Sequence, residues 1–454
     1  MASGERVDVS SCLRRRPLQR GSLAGLYSSN GDKMSQPNLA VRNNLRGFPR
    51  TERWLLRQVF KAIGPAPIRL AFKDGEEMSP PGVSPRATIL IHDRPTLIGL
   101  MLDPEMAFGE AYSDGRIEVE GDLAEALEVV YRSWPGGADT GWYQRLTSTL
   151  LDRSQTNSLD GSRNNIHRHY DLGNDFYRLW LDEQLVYTCA YFPTPAATLE
   201  VAQEAKLDYV CRKLQLRPGE RVVEAGCGWG ALALHMARHY GVSVKAFNIS
   251  HEQISYARRR AAESGLSDKV EFIEDDWRNI SGHFDAFASV GMLEHVGVNN
   301  FAHLGEVIHS SIGDSGRGLI HFIGKSHKGV FSRWIRKRIF PGAYAPTLNE
   351  AMNILEPHDY AVLDVENLRP HYARTLEHWL ERFDKSSQQV AAMYDPWFER
   401  AWRLYLAGSI AAFRAGTLQL FQISFAGQAR QPIPWTRAPL YTAAKDSKWM
   451  HATS

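Results

Sequence analysis

"RVVEAGCGWGALALHMA", residues 221–237, decides how the rest of the chain is read. An apolar, β-branched run ends in Gly226, Gly228 and Gly230 and passes directly into a helix-like run. Glycine lets the backbone turn sharply and lets a ligand approach the main chain, while the helix start that follows offers N–H groups without internal partners. The stretch therefore predicts a strand, a tight turn and a helix around a nucleotide-type ligand. Glu224 lies two residues ahead of the first glycine, the spacing is G-x-G-x-G, and no Lys-Ser/Thr follows. That pattern is neither a P-loop nor the G-x-G-x-x-G of dinucleotide sites.

Outward from this turn, strand-like and helix-like runs alternate. Helix "AKLDYVCRKLQL" precedes it, and strand "VSVKAFNI", helix "HEQISYARRRAAESG" and strands "VEFIEDD" and "FDAFASV" follow. Strands alternating with amphipathic helices mean βαβ units, so the fold class is α/β with a doubly wound, Rossmann-like parallel sheet. Nearer the N-terminus, "IRLAFKDG", "ATILIHD" and "GRIEVEGD" read as strands between turn residues, and "DLAEALEVVYRSW" as a helix behind an Asp cap, giving a smaller α+β domain. The expected organisation is a flexible basic tail over 1–50, the small domain over 51–136, a polar, turn-rich linker over 137–164, a catalytic domain over 165–430 and a C-terminal tail over 431–454.

Composition narrows the partners. The 454 residues are 43% hydrophobic and 23% charged with a net charge of +2, ordinary for a globular chain with a large core. Four cysteines, Cys12, Cys189, Cys211 and Cys227, lack paired metal-site spacing and are too sparse for a disulfide framework, so no metal is expected and a reducing cytoplasm is the natural home. No apolar run is long enough to span a bilayer. One segment, "KSHKGVFSRWIRKRIFPGAY" at 325–344, contains no acid; its basic residues alternate with Phe331, Trp334, Ile335 and Ile339, which share one helical face. A basic, apolar helix suits the face of a membrane, or a surface helix docked by its apolar stripe. Nucleic acid is disfavoured because bulky aliphatics interrupt the charge and no nucleic-acid motif surrounds it.

E-x-G-x-G-x-G after the first strand resembles motif I of class I S-adenosylmethionine-dependent methyltransferases. The resemblance implies that the backbone of Gly226, Gly228 and Gly230 holds the methionine part of the cofactor while Glu224 orders the loop. Where that family carries a ribose-binding acid this chain has Asn248, so ribose recognition passes to Asn248 and Gln253. "EDDWRNI" places Asp275, Asp276 and Trp277 where the family recognises adenine.

"HYDLGNDFYRLWLDEQLVYTCAYF", "SVGMLEHVG", "IFPGAY", "LRPHYARTLEHW" and "AAFRAGTLQLFQ" are similar, in order, to the cyclopropane-fatty-acyl-phospholipid synthase and mycolic acid cyclopropane synthase family. "AFGEAYSDGRIEVEGDL" resembles the appended domain of its phospholipid-acting members, which leaves lipid binding or a homodimer contact as the expected use of the small domain. The family implies addition of a methyl group to the cis double bond of an unsaturated phospholipid acyl chain, with ring closure by proton loss. It also implies a bound bicarbonate as base, held by Cys189, Glu294, His321, the Ile323 amide and Tyr372, with Tyr187 and Thr188 as cofactor contacts. Read alone, Cys189 suits a small hydrophobe in a strand, and His321 a core histidine. Ser409 stands where many relatives carry a cysteine. The expected enzyme works at the inner face of the membrane, its contact being 325–344. A methyl or methylene branch is the alternative product, and a non-catalytic lipid-binding scaffold or methylation of a soluble small molecule the alternatives in kind.

Overall fold

The computed structural model describes residues 50–133, apart from 74, and 172–441. The linker read over 137–164, the tail over 1–50 save its last position, and the tail beyond 441 lie outside the described residues.

The N-terminal layer runs α1 (Arg50–Ile63), β1 (Ile68–Phe72), β2 (Glu77–Met78), β3 (Ala87–Ile91), α2 (Pro95–Leu102), α3 (Pro104–Ser113), β4 (Ile117–Glu120) and α4 (Leu123–Ser133). Its sheet has the order β2-β1-β3-β4, with β1 and β3 parallel and the outer pairs antiparallel. Ile68, Leu70 and Phe72 on β1, and Ala87, Ile89 and Ile91 on β3, alternate inward, the period of two that their sequence announced. The helices α2 and α3 were not anticipated. Each starts with proline at its first position, where the missing N–H costs nothing, and Asp103 caps α3 through Met106 N at 3.3 Å.

The second layer begins with α5 (Asn174–Arg178) and α6 (Leu199–Lys213), then β5 (Arg221–Ala225), α7 (Ala231–Tyr240), β6 (Ser243–Asn248), α8 (His251–Glu263), β7 (Val270–Glu274) and β8 (Ala286–Val290). It continues with α9 (Leu293–Val296), α10 (Phe301–Ile312), β9 (Arg317–Gly324), α11 (Arg333–Arg338), β10 (Ala361–Asn367), α12 (Arg369–Lys385), α13 (Pro396–Ala415) and β11 (Gln419–Ala426). The seven strands lie in the order β10-β11-β9-β8-β5-β6-β7. From β9 to β7 all neighbours are parallel, and β11 is antiparallel to both β9 and β10. The fold is thus the doubly wound α/β sheet expected from the glycine turn, with the antiparallel strand inserted near one edge. Central strands β5, β8 and β9 are buried on both faces, by α6, α7 and α8 on one and by α10 on the other.

A third core joins the layers. Residues of α1, β1, β3 and α4 form one continuous apolar cluster with Phe176, Trp180, Trp379 and the long helix α13. Arg400 on α13 donates to the carbonyls of Tyr112 at 2.6 Å and Ile117 at 3.0 Å, and Arg132 of α4 donates to Arg414 O at 2.8 Å. Carbonyls at the ends of α3, β4 and α13 therefore find charged donors in the other layer.

The basic segment is placed differently from a free amphipathic helix. Only Arg333–Arg338 is helical, and Trp334 and Ile339 are 3% and 4% exposed, turned into the molecule. The Trp334 ring covers Gly109 of α3, where an added Cβ would lie 2.3 Å from it. Arg333 pairs with Asp103, and Arg338 reaches Glu110 at 2.6 Å. The stripe is thus used to dock α11 on the N-terminal layer, leaving Lys328, Val330 and Lys337 exposed.

Candidate active site

The C-terminal ends of β5, β6 and β7 bring the expected cofactor residues to one edge. Gly226 has φ +85°, and a Cβ there would meet the Met292 side chain at 2.9 Å; Gly230 opens α7 with φ +83°. Both positions need glycine, because left-handed backbone and close packing coincide. Glu224 is buried on β5, accepts the Ala233 N–H at the start of α7, and leaves Oε2 without a partner. Burial pushes its carboxyl up to about 8, against the pull of Lys206. Asn248 Nδ2 donates to Gln253 Oε1 at 2.6 Å and to Gly228 O at 3.4 Å, so the two amides expected at the ribose are tied to each other and to the loop. Asp276 is buried and takes Arg278 at 3.0 Å, and the same guanidinium lies 4.6 Å from the Trp277 ring centroid. Asp275 holds the turn itself, accepting from Asp276 N at 2.7 Å and Asn279 Nδ2 at 2.8 Å.

Residues 186–192 do not form the strand that their aromatic and β-branched composition suggests. They run as a buried irregular segment whose polar backbone is satisfied mainly by side chains. Gln203 of α6 donates to Val186 O at 3.2 Å and Thr188 O at 2.9 Å, Thr375 Oγ1 of α12 accepts from Ala190 N at 3.0 Å, and His371 Nδ1 accepts from Phe192 N at 3.0 Å. Asp182 fixes the entry, accepting from Gln184 N and Val186 N at 2.9 Å each. Lys206, 2% exposed, donates to Thr188 Oγ1 at 2.9 Å and is pushed down to about 8 by burial, opposed by Asp182, Cys189 and Glu224. Gln203 and Lys206 escaped the sequence reading. Their signal was present: both share a helical face with Leu199, Ala202 and Tyr209, polar residues in an otherwise apolar stripe.

The five residues assigned to an anion form two tethered groups. Glu294, on the short α9 after β8, accepts the Ile323 N–H through Oε1 at 2.6 Å. Its Oε2 is buried without a partner, and burial raises the carboxyl to about 7. His321 lies two residues before Ile323 on β9, hence on the same strand face. Gln422 Nε2 sits 3.0 Å from His321 Nδ1, so Nδ1 accepts and Nε2 carries the proton, a buried donor with no partner. Burial first, then Lys206 and Lys213, holds this imidazole neutral down to about 3. The other group is Cys189, which meets Thr375 on α12, and Tyr372, which the same helix carries. Cys189 Sγ donates to Ala190 O at 3.1 Å, and burial pushes its thiol up, so it is a neutral donor and not a thiolate. Glu294 Oε2 and His321 Nε2 are each left without a partner, an acceptor and a donor of the kinds that could hold a small oxyanion; the Ile323 amide, expected to join them, is turned to Glu294 instead.

Glu294, Ile323, Tyr372, Tyr187 and Thr188 all line one cavity of about 740 Å³, while Cys189 and His321 are buried off its wall. The cavity crosses the layer boundary: Ile68, Leu70 and Ile89 of the small sheet, Phe108 and Tyr131 also form its walls, as do Tyr405, Ser409 and Phe413 of α13. The Tyr187 and Tyr405 hydroxyls bond each other at 2.9 Å on that wall. A mainly apolar volume with a few polar groups on its wall suits a hydrocarbon chain.

Residues 157–423 match the family described as mycolic acid cyclopropane synthetase, and residues 55–135 match a domain of unknown function. A probable fatty acid methyltransferase of Pseudomonas putida is 36% identical over 83% of this chain and 96% of its own. A tuberculostearic acid methyltransferase of Mycobacterium tuberculosis is 33% identical over 78% and 87%, and the cyclopropane-fatty-acyl-phospholipid synthase of Escherichia coli is 40% identical over 57% and 66%. Among solved structures, the mycolic acid cyclopropane synthase CmaA1 complexed with SAH and CTAB superposes with a TM-score of 0.56 at 29% identity, covering 58% of this chain and 97% of its own.

Proposed function

This chain belongs to the mycolic acid cyclopropane synthetase family and is an S-adenosylmethionine-dependent lipid methyltransferase; from that premise we propose that it adds a methylene to the cis double bond of an unsaturated phospholipid acyl chain, forming a cyclopropane. The observation that carries the reading is the apolar cavity with Glu294, Ile323 and Tyr372 on its wall and the unpartnered Nε2 of His321 behind it. The cofactor supplies an electrophilic methyl group. Gly226, Gly228 and Gly230 leave the main chain open to its methionine part, Asn248 and Gln253 offer donors and acceptors to the ribose, and Asp276 and Trp277 border the adenine side. The alkene π pair forms the new carbon–carbon bond and leaves a cation on the chain; the added methyl then loses a proton, and the C–H pair closes the ring. A carboxyl titrating near neutrality, as Glu294 does, holds or releases a proton at Oε2 during that step. A bicarbonate bound by His321, Tyr372 and Cys189 would supply the base. The apolar wall keeps water from the cation.

A second product is favoured by one finding: the two relatives that cover 83% and 78% of the chain are named a probable fatty acid methyltransferase and a tuberculostearic acid methyltransferase. A methylene branch also ends in proton loss, whereas a saturated methyl branch requires an added hydride. Mass spectrometry of acyl chains from a host lacking such lipids, with and without expression, separates these. A gain of CH₂ is expected, a gain of CH₂ plus two hydrogens identifies a saturated branch, and proton NMR distinguishes ring from methylene. Unchanged chains, together with no S-adenosylmethionine binding by calorimetry, would sink the reading. Access to lipid is proposed through the exposed part of 325–344 as a peripheral membrane contact.

A further inference from the structure

The rim of the acyl cavity carries a cation that the chemistry above does not use. Lys325 continues β9 in extended form: its N–H donates to Pro346 O at 3.0 Å, and it bridges Thr347 in parallel register. Alternate residues of an extended chain face one way, so His321, Ile323 and Lys325 lie on one face, with Lys325 about 6.6 Å beyond Ile323. Ile323 and Lys325 line the same cavity.

Its neighbours in the basic segment are engaged elsewhere. Arg333 pairs with Asp103, Arg338 with Glu110 at 2.6 Å and Lys328 with Glu350 at 3.4 Å. Lys325 has no carboxylate within ion-pair distance among the described residues. Its ammonium donates to Val330 O at 2.5 Å and lies 5.4 Å from the Phe331 ring centroid. Glu105 also reaches the cavity wall, and accepts the Arg333 N–H at 3.2 Å. An ammonium has three N–H donors, so two remain for a ligand. Ser326, His327 and Val330 on the same rim are exposed, whereas the walls beyond are apolar. A half-buried cation where solvent meets hydrocarbon suits the anionic end of an amphiphile.

We propose that Lys325 binds the anionic group of the acyl substrate, a phosphodiester or a carboxylate, and that its fixed spacing from Ile323 selects which carbons of the chain reach the methyl donor. The spacing is held by the sheet, since Gly324 pairs with Gln419 of β11. This rests on the lipid reading above.

The test compares wild type with Lys325→Met and Lys325→Arg on three substrates in mixed micelles: dioleoyl phosphatidylglycerol, oleate and the neutral dioleoylglycerol. Lys325→Met should raise KM about tenfold for the anionic lipid that the enzyme uses, with kcat and the KM for dioleoylglycerol unchanged. Lys325→Arg should restore most of the loss. A rise confined to phosphatidylglycerol assigns the phosphodiester, and one confined to oleate the carboxylate. With chains whose double bonds differ in position, the Met variant should discriminate less. An unchanged KM for both anionic lipids, or an equal rise for the neutral one, would overturn the anchor while leaving the methyltransferase reading intact. No modification of any lipid by wild type that binds S-adenosylmethionine would instead remove the lipid reading, and the anchor with it.

Discussion

Two buried polar clusters of the catalytic layer are finished to different degrees. Around Asp182, Lys206 and Thr188 the protein supplies its own partners: both Asp182 oxygens take backbone N–H groups and Lys206 takes Thr188. Around Glu294 and His321 it does not, leaving Oε2 and Nε2 bare in the interior. Buried groups without partners are costly and uncommon in finished cores. The first cluster is scaffolding for a loop that has no strand to pair with, although Gln203 Oε1 and Glu224 Oε2 beside it also lack partners; the second is, under the proposed mechanism, the place that a bound anion completes.

Glu294→Gln should widen the contrast most. It keeps an acceptor for the Ile323 N–H but removes the titrating carboxyl, so kcat should fall on the order of 10²–10⁴-fold with S-adenosylmethionine affinity unchanged. A loss of only a few-fold would show that the Glu294 carboxyl takes no part in the proton step. Lys206→Met attacks the other cluster. It strips Thr188 of its charged donor and leaves Asp182 and Glu224 without their cation, at a cost of about 3 kcal/mol in denaturant unfolding. If Lys206→Met is no less stable than Glu294→Gln, the division into scaffold and site is wrong.

A pH series sharpens the same comparison at smaller amplitude. Glu294 and Glu224 are raised from 4.5 to about 7 and about 8, so their contribution favours folding at low pH and is lost as pH climbs through those values. His321 is lowered from 6.5 to about 3, so its contribution is present above 6.5 and lost as pH falls. Between pH 6.5 and 7.5, below the point where Lys206, lowered to about 8, begins to oppose it, the glutamate effect dominates and stability should decline by on the order of 1 kcal/mol as pH rises. Glu294→Gln should flatten part of that slope. Cys189→Ser should matter least: a hydroxyl can also donate to Ala190 O, and activity should stay within about tenfold of wild type. A loss as large as that of Glu294→Gln would make the thiol a reacting group.

The parallel sheet was legible because its signals are local: an apolar run, then Gly226, Gly228 and Gly230, then the amphipathic α7. The helices α2 and α3 were not, because "PTLIGLML" is apolar on every side and loses the period that marks a helix. Residues 186–192 look like a strand in the sequence because Val186, Tyr187 and Thr188 have strand-like side chains. Those preferences describe packing, and here the backbone bonds go to Gln203, Thr375 and His371, which are distant in sequence. The stripe of Trp334 and Ile339 was visible, but its cover, Gly109 of α3, was not. The anion residues came from resemblance; Gln422, which sets the His321 tautomer, has no local signature.

A cavity walled by Ile68, Leu70 and Ile89 on one side of the layer boundary and Tyr372, Tyr405 and Phe413 on the other has a thermodynamic consequence. An acyl chain lying there touches both layers at once, so its binding energy counts toward holding them together, and by mass action lipid should stabilise residues 50–133 as well as the catalytic sheet. Substrate then acts as a removable piece of the core, and hydrogen exchange in β1 and β3 should slow in step with lipid occupancy.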